Sequence, residues 1–177
     1  GFYCLLFIIL YSHTLSIPDR NLIFRYDRLS RSEMGKTIMN FSIIIPAFNE
    51  GHRLPAFLKD LSKELTDSRW KGEIIVVDDG SRPSDVKIYQ ELISSLHPQQ
   101  IKYLRLDPNQ GKGAAIKHGF KQALGEWVGF ADADGSTGAS EVLRLAQHAA
   151  GSSVDGVLGS RVKMMGYNIE RKLIRHL

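Results

Sequence analysis

The sequence predicts an α/β fold: a mostly parallel sheet with helices on both faces. Three observations carry this. Short apolar, β-branched runs at 41–46, 73–77, 101–106 and 127–130 are separated by segments whose apolar residues recur at helical spacing. Such alternation pairs successive strands in parallel, with the helices as crossovers. Most of the strand-like runs also lead into a cluster of acids, glycines and small polar residues. Open α/β sheets bind ligands in the crevice outside their strand carboxyl ends, which is where these clusters would meet.

Composition narrows the function. The chain has 177 residues, enough for one sizeable core. Its 43% hydrophobic and 24% charged content is that of a globular protein, which argues against a disordered chain. A net charge of +4 and a pI near 9.2 suit an anionic partner such as a phosphate, a nucleotide or a lipid headgroup. Lys and Arg are scattered among acids, so no nucleic-acid partner is expected. The single cysteine, Cys4, excludes an internal disulfide, and no Cys/His cluster has zinc spacing. No Gly-x-Ser-x-Gly elbow is present, which argues against an α/β-hydrolase.

Taken in order, residues 1–36 stand apart. Residues 2–10 are almost wholly apolar, yet a bilayer span needs ~20 residues. The expectation is that 1–39 is an N-terminal extension, non-native or disordered, with a natural start at Met34 or Met39, and that the domain begins at 40. Asn40-Phe41-Ser42 is formally a glycosylation sequon, but it abuts an apolar strand. The run 41–46 ends at Pro46 as a buried parallel strand. Leu54, Phe57, Leu58, Leu61 and Leu65 then mark an amphipathic helix to about Asp67. The run 73–77 is a second buried strand, ending in Asp78-Asp79-Gly80-Ser81. The helix after it carries Val86, Tyr89, Leu92, Ile93 and Leu96 and stops near His97-Pro98. Residues 101–106 alternate as a third strand, 114–123 form a helix, 127–130 a fourth strand, 141–149 a helix and 154–158 a short strand.

The chemistry concentrates at Asp132-Ala133-Asp134, directly after the fourth of these strands. Alternate residues of an extended segment point the same way, so the two carboxylates can converge. Close carboxylates repel unless something positive lies between them, and oxygen ligands with open positions suit Mg²⁺ or Mn²⁺ carrying a substrate phosphate. The plainer alternative is an acidic turn in which Asp134 caps the next helix. Gly111-Lys112-Gly113 matches neither a Walker loop nor a dinucleotide fingerprint, but it can present backbone N–H groups and one cation to an anion. Its alternative is a glycine turn with Lys112 solvated. Asp78 or Asp79 can accept hydrogen bonds from a base or ribose, or cap a helix through the Ser81 turn. Glu50 has the same two readings. By alternation of strand and helix, Glu50, Asp78, Asp79, Asp132 and Asp134 share one crevice.

Four segments in order, Ile45-Pro46-Ala47-Phe48-Asn49-Glu50, Val77-Asp78-Asp79-Gly80-Ser81, Asn109-Gln110-Gly111-Lys112-Gly113-Ala114-Ala115 and Asp132-Ala133-Asp134-Gly135-Ser136, together resemble a family 2 glycosyltransferase of the Rossmann-like GT-A fold. The resemblance covers about 41–177 and is strongest to the dolichyl-phosphate β-glucosyltransferase and polyprenyl-phosphate glycosyltransferase branch. It implies that 40–177 is a GT-A domain cut short at its C-terminus. It further implies that Pro46, Phe48, Glu50 and Asp78, with Asp79 and Lys112 nearby, bind the nucleotide. Asp132 and Asp134 would be a DxD motif holding Mg²⁺ or Mn²⁺ on the donor diphosphate. Ser136 stands where some relatives carry a Gln near the metal, which leaves the third ligand open. Gly159-Ser160-Arg161 and Arg171-Lys172-Leu173 are similar to the basic segment that holds a lipid phosphate, so Arg161 and Arg171 would position the acceptor.

The implied activity is inverting, metal-dependent transfer of a sugar from a nucleotide-sugar to a polyprenyl or dolichyl phosphate. UDP-glucose is the favoured donor and GDP-mannose the second. The alternatives are a glycan hydroxyl as acceptor, or an incomplete fragment that binds donor without turnover. Ile169, Leu173 and Leu177 share a helical face flanked by Arg171, Lys172, Arg175 and His176, the pattern of a helix lying on an anionic membrane surface. The expected location is therefore the cytoplasmic face of a membrane, peripheral or anchored by a further segment.

Overall fold

A computed structural model describes residues 7–11, 39–96, 99–151 and 156–159. In chain order its elements are β1 (Phe7–Tyr11), β2 (Phe41–Ala47), α1 (Leu54–Asp67), β3 (Gly72–Asp79), α2 (Pro83–Ser95), β4 (Ile101–Leu106), α3 (Lys112–Gln122), β5 (Trp127–Phe130), α4 (Ala139–Gly151) and β6 (Gly156–Gly159).

The sheet order is β4-β3-β2-β5-β1-β6. β2 pairs in parallel with β3 on one side and β5 on the other, and β3 pairs in parallel with β4. All seven residues of β2 and all eight of β3 are buried, as expected of central parallel strands covered on both faces. Their alternate side chains serve two cores. Ile43 and Ile45 face a large cluster with Leu54, Leu58 and Leu61 of α1, Tyr89 of α2 and Val142 of α4. Ile44, Ile75 and Val77 face a smaller cluster with Ala115 of α3. The chain runs outward from β2 to β4, then returns through α3 to place β5 on the other side of β2. That reversal makes the carboxyl ends of β2 and β5 a topological switch point, where a crevice opens.

Several boundaries differ from those expected: α4 spans Ala139–Gly151 rather than 141–149, and β6 spans Gly156–Gly159 rather than 154–158. α3 starts at Lys112 rather than 114, because Gly111 adopts φ +92 and accepts from the N–H groups of Ala114 and Ala115. α2 starts at Pro83, whose fixed φ and missing N–H suit a first helical turn.

The larger difference is β1. Residues 1–39 are expected outside the fold, whereas Phe7–Tyr11 is a strand, antiparallel to both β5 and β6. The crossover through α4 skips one position beside β5, and this apolar five-residue run, too short for a membrane span, has the composition and length of the strand that fills it.

A buried polar cluster ties the amino ends of the central strands together. Glu73, 2% exposed, accepts from Ser42 Oγ at 2.7 Å and from the Leu124 N–H at 2.6 Å, and pairs with Lys102 Nζ at 2.8 Å. It lies at the opposite end of the sheet from the acidic turns. At the carboxyl end, Gly80 turns the chain with φ +76, and a Cβ there would sit 2.6 Å from the Asn109 backbone nitrogen. Backbone cannot yield as a flexible side chain can. Gly80→Ala is therefore expected to lower stability by about 2 kcal/mol or more in urea unfolding, since strain at positive φ adds to the clash. A loss under ~0.5 kcal/mol, the range of ordinary surface changes, would show that the Asn109 loop moves freely.

Candidate functional site

Three strand ends build one cavity of about 410 Å³. The end of β2 contributes Pro46, Phe48 and Glu50; the end of β3, Asp79; the turn after β5, Asp132 and Asp134; and α3, Lys112. All of these are residues expected at the site from the sequence. Arg53 and Asn109 line the cavity as well.

The loop after β2 is held from below. Asn49 takes a left-handed conformation, φ 56, which Asn tolerates. Its N–H donates to Ser81 Oγ at 2.9 Å, and its Oδ1 accepts from the Arg82 N–H at 3.0 Å. The Glu50 N–H donates to the Tyr89 hydroxyl at 2.6 Å and the Gly51 N–H to Asp85 Oδ1 at 2.8 Å. Four bonds from the β3 turn and α2 thus fix the backbone from Asn49 to Gly51, leaving Phe48 half exposed at the rim. Arg53 Nε donates to Glu50 Oε2 at 2.6 Å, and its Nη2 pairs with Glu50 Oε1. The Glu-x-x-Arg spacing at the head of α1 was the available signal for Arg53, since i,i+3 side chains are helix neighbours.

Asp85 is 2% exposed. The guanidinium of Arg82 holds its carboxyl below the ordinary value against the opposing effect of burial, with help from the Gly51 N–H. A carboxylate with a lowered folded-state pKa stabilises fully above the ordinary value near 4, and that stabilisation is lost as pH falls through the lowered value. The melting temperature is expected to fall with acidification below about pH 4, and less steeply in Asp85→Asn. Equal acid slopes for the two proteins would remove Asp85 from the account.

The two aspartates ending β3 have different partners. Asp79 Oδ1 and Oδ2 accept from the N–H groups of Gln110 and Gly111 at 2.8 and 2.7 Å, and its carbonyl accepts from Asn109 Nδ2 at 2.8 Å. It moulds the loop before α3 while one side faces the cavity. Asp78 departs from the expectation that it lines the base site. It is fully buried, outside the cavity lining, and accepts from the Ser81 N–H at 2.9 Å, the Tyr103 hydroxyl at 2.7 Å and the Arg105 guanidinium. Neighbouring strand residues point to opposite faces, so only one of the two aspartates can look into the crevice. Burial, and then Asp78 itself, push the Tyr103 phenol up, so it remains a donor.

After β5, Asp132 Oδ1 is paired with Lys112 Nζ. Asp134 Oδ1 accepts from the Ser136 N–H at 3.0 Å and from the Ser136 hydroxyl at 2.6 Å, while Oδ2 lies 3.9 Å from Arg53 Nη1. Burial pushes the Asp134 carboxyl up, but the two Ser136 bonds and the charges of Arg53 and Lys112 outweigh it and hold it below the usual range. Both side chains are mostly buried, at 16% and 19% exposure, and both line the cavity. Two carboxylates lining one cavity fit a Mg²⁺ or Mn²⁺ whose other positions would go to water and phosphate oxygens. Among the described residues, no group of three or more Asp, Glu, His or Cys gathers to hold a metal without such help. The Ser136 hydroxyl is turned onto Asp134, orienting it.

Arg161 and Arg171, the expected acceptor residues, lie outside the described residues, as does the amphipathic pattern from Ile169 to Leu177. No described helix is long and apolar enough to cross a membrane.

The profile described as "Glycosyl transferase family 2" matches residues 42–176. Dolichyl-phosphate beta-glucosyltransferase of Dictyostelium discoideum is 40% identical over 101 residues, covering 54% of this chain and 31% of that protein. Its namesake from Saccharomyces cerevisiae is 38% identical over 111 residues, covering 59% and 32%. Undecaprenyl-phosphate 4-deoxy-4-formamido-L-arabinose transferase of Pectobacterium carotovorum is 35% identical over 113 residues, covering 64% and 34%. The chain thus spans about a third of the length of the curated relatives it matches.

Proposed function

Because this chain belongs to glycosyl transferase family 2, we propose that it forms the donor-binding part of an inverting, metal-dependent transferase that moves a hexosyl group, glucose first, from a nucleotide-sugar to a polyprenyl or dolichyl phosphate. Phe48, Pro46 and Glu50 would meet the base and ribose, and Lys112 the diphosphate. Asp132 and Asp134 would hold Mg²⁺ or Mn²⁺. That ion supplies positive charge to the diphosphate as the glycosidic bond breaks. Lys112, at the first turn of α3, adds a donor where negative charge grows.

The observation that carries the acceptor class is the state of the cavity carboxylates. Glu50 is held by Arg53, Asp79 by two backbone N–H groups, Asp132 by Lys112 and Asp134 by Ser136. A sugar hydroxyl needs a carboxylate base to take its proton as it attacks. A lipid phosphate is already ionised at pH 7 and needs only to be positioned, a task suited to guanidinium groups. Arg161 and Arg171 are assigned that task on the family resemblance. An enzyme of this kind works at a membrane surface, and we place it on the cytoplasmic face. The curated relatives are named for two different sugars on polyprenyl-type phosphates, which supports the acceptor class more than the donor sugar.

The test is transfer from labelled UDP-glucose and GDP-mannose to dolichyl phosphate in vesicles, using a chain extended to the relatives' length. Label is expected in the lipid extract from UDP-glucose, and chelation of divalent metal is expected to stop it. Label reaching an oligosaccharide and never lipid would overturn the acceptor assignment.

A further inference from the structure

Lys112 stands in an electrostatically unfavourable place. It is the first residue of α3, where the helix dipole is positive, and the first turn contains no acid. Its ammonium is paired with Asp132, one of the two carboxylates suited to a divalent cation. The other, Asp134, has Ser136 and the more distant Arg53 as partners. A divalent cation on the pair would meet the Lys112 charge within contact distance of one of its own ligands, so the two cations compete for Asp132.

The surroundings allow Lys112 to leave. Its side chain is 55% exposed. Gly111 and Gly113 flank it, and a Cβ at either would meet nothing within 4 Å. The ammonium sits on a flexible four-carbon stem. The side chain can therefore swing while its backbone stays in the first turn of α3, and a phosphate bound at that turn lies within its reach.

We propose that Lys112 is a place-holding cation: it neutralises Asp132 until a divalent metal takes the Asp132–Asp134 pair, and then transfers its contact to the diphosphate of the donor. This rests on the nucleotide-sugar reading and adds a coupling to it. Lys112 opposes metal binding alone and favours the complex of metal with nucleotide. Reciprocity then makes each ligand bind more tightly in the presence of the other. Arg53, held by Glu50, stays as the fixed positive neighbour of Asp134.

The signature is a pair of opposite effects in Lys112→Met. Mn²⁺ alone, followed by the paramagnetic resonance of the free ion with the full 177-residue chain, is expected to bind about fivefold more tightly, the ceiling for a half-exposed ion pair. UDP or GDP in saturating Mn²⁺, followed by calorimetry, is expected to bind about tenfold more weakly as a charge-assisted contact is lost. Lys112→Arg, which keeps the charge, is expected to bind Mn²⁺ alone as the wild type does. Lys63→Met, which removes an exposed ion pair on α1, controls for net charge. A merely structural Lys112 would weaken both ligands, and a residue that only binds diphosphate would leave Mn²⁺ alone unchanged. Either result, with metal-dependent nucleotide binding intact in the wild type, overturns the proposal and leaves the donor site standing. A wild type that binds neither Mn²⁺ nor either nucleotide overturns both.

Discussion

Asp134→Ala is expected to abolish the Mn²⁺-dependent rise in melting temperature that UDP or GDP produces in the wild type, and to lower kcat/KM of the extended enzyme by about 10²–10³. The physical basis is local. Asp134 is one of the two carboxylates that follow β5 on the cavity wall, and its Oδ1 is already oriented by Ser136. Its removal leaves Asp132 alone of that pair, and Lys112 holds it. A ligand at a hundred times its dissociation constant stabilises a folded protein by about 2.7 kcal/mol, so the lost shift is easily measured. The nucleotide that produces the wild-type shift also names the base of the donor. The variant removes two hydrogen bonds, so its own unfolding is expected to move by about 1–3 kcal/mol, read separately from the ligand-dependent shift. A metal-dependent shift that survives the substitution would sink the carboxylate-pair assignment.

The second large effect falls on stability. Asp78→Ala leaves the Tyr103 hydroxyl and the Ser81 N–H without their acceptor beneath the β3 turn, and leaves the Arg105 guanidinium only the Ser81 carbonyl at 3.1 Å and the more distant Asp107. Breaking a buried, hydrogen-bonded charge pair from one side costs about 3–5 kcal/mol. Arg105 retains some solvent at 30% exposure, so the lower end applies: about 3 kcal/mol, or roughly 6–12 °C in melting temperature for a chain of this size. Asp78→Asn is the discriminating variant. It keeps the shape but loses the charge, so a residue that serves the fold should lose stability in Asn as well, in proportion to the lost pairing with Arg105. A residue that reads the nucleotide base should lose nucleotide affinity at nearly unchanged stability. The second pattern would restore Asp78 to the binding site.

These two aspartates show how far the sequence could be read. Asp132 and Asp134 were legible as cavity residues because they directly follow an apolar strand whose carboxyl end opens on the crevice, although they lie on a turn past Phe130 rather than on extended strand. The choice between Asp78 and Asp79 was not, because it depends on which face of β3 meets the crevice and on Tyr103 and Arg105 arriving from β4. Arg53 was missed for a similar reason. Its i,i+3 spacing to Glu50 was visible, but its approach to Asp134 needs α1 and the turn after β5 to meet across the switch point. Residues 7–11 were read as part of an extension outside the fold. Their role as β1 depends on a gap between β5 and β6 that exists only once α4 has crossed.

Strand and helix succession, a mostly parallel sheet and the gathering of the polar clusters at one end were determined by the sequence alone. They follow from periods of two and 3.6 residues and from the handed, short connections that join such elements. Which cavity carboxylate is bound by which cation, which aspartate turns away, and which strand fills the sheet beside β5 were decided by the tertiary structure. Each depends on contacts between residues far apart in the chain, whose partners are chosen by packing rather than by neighbours in sequence.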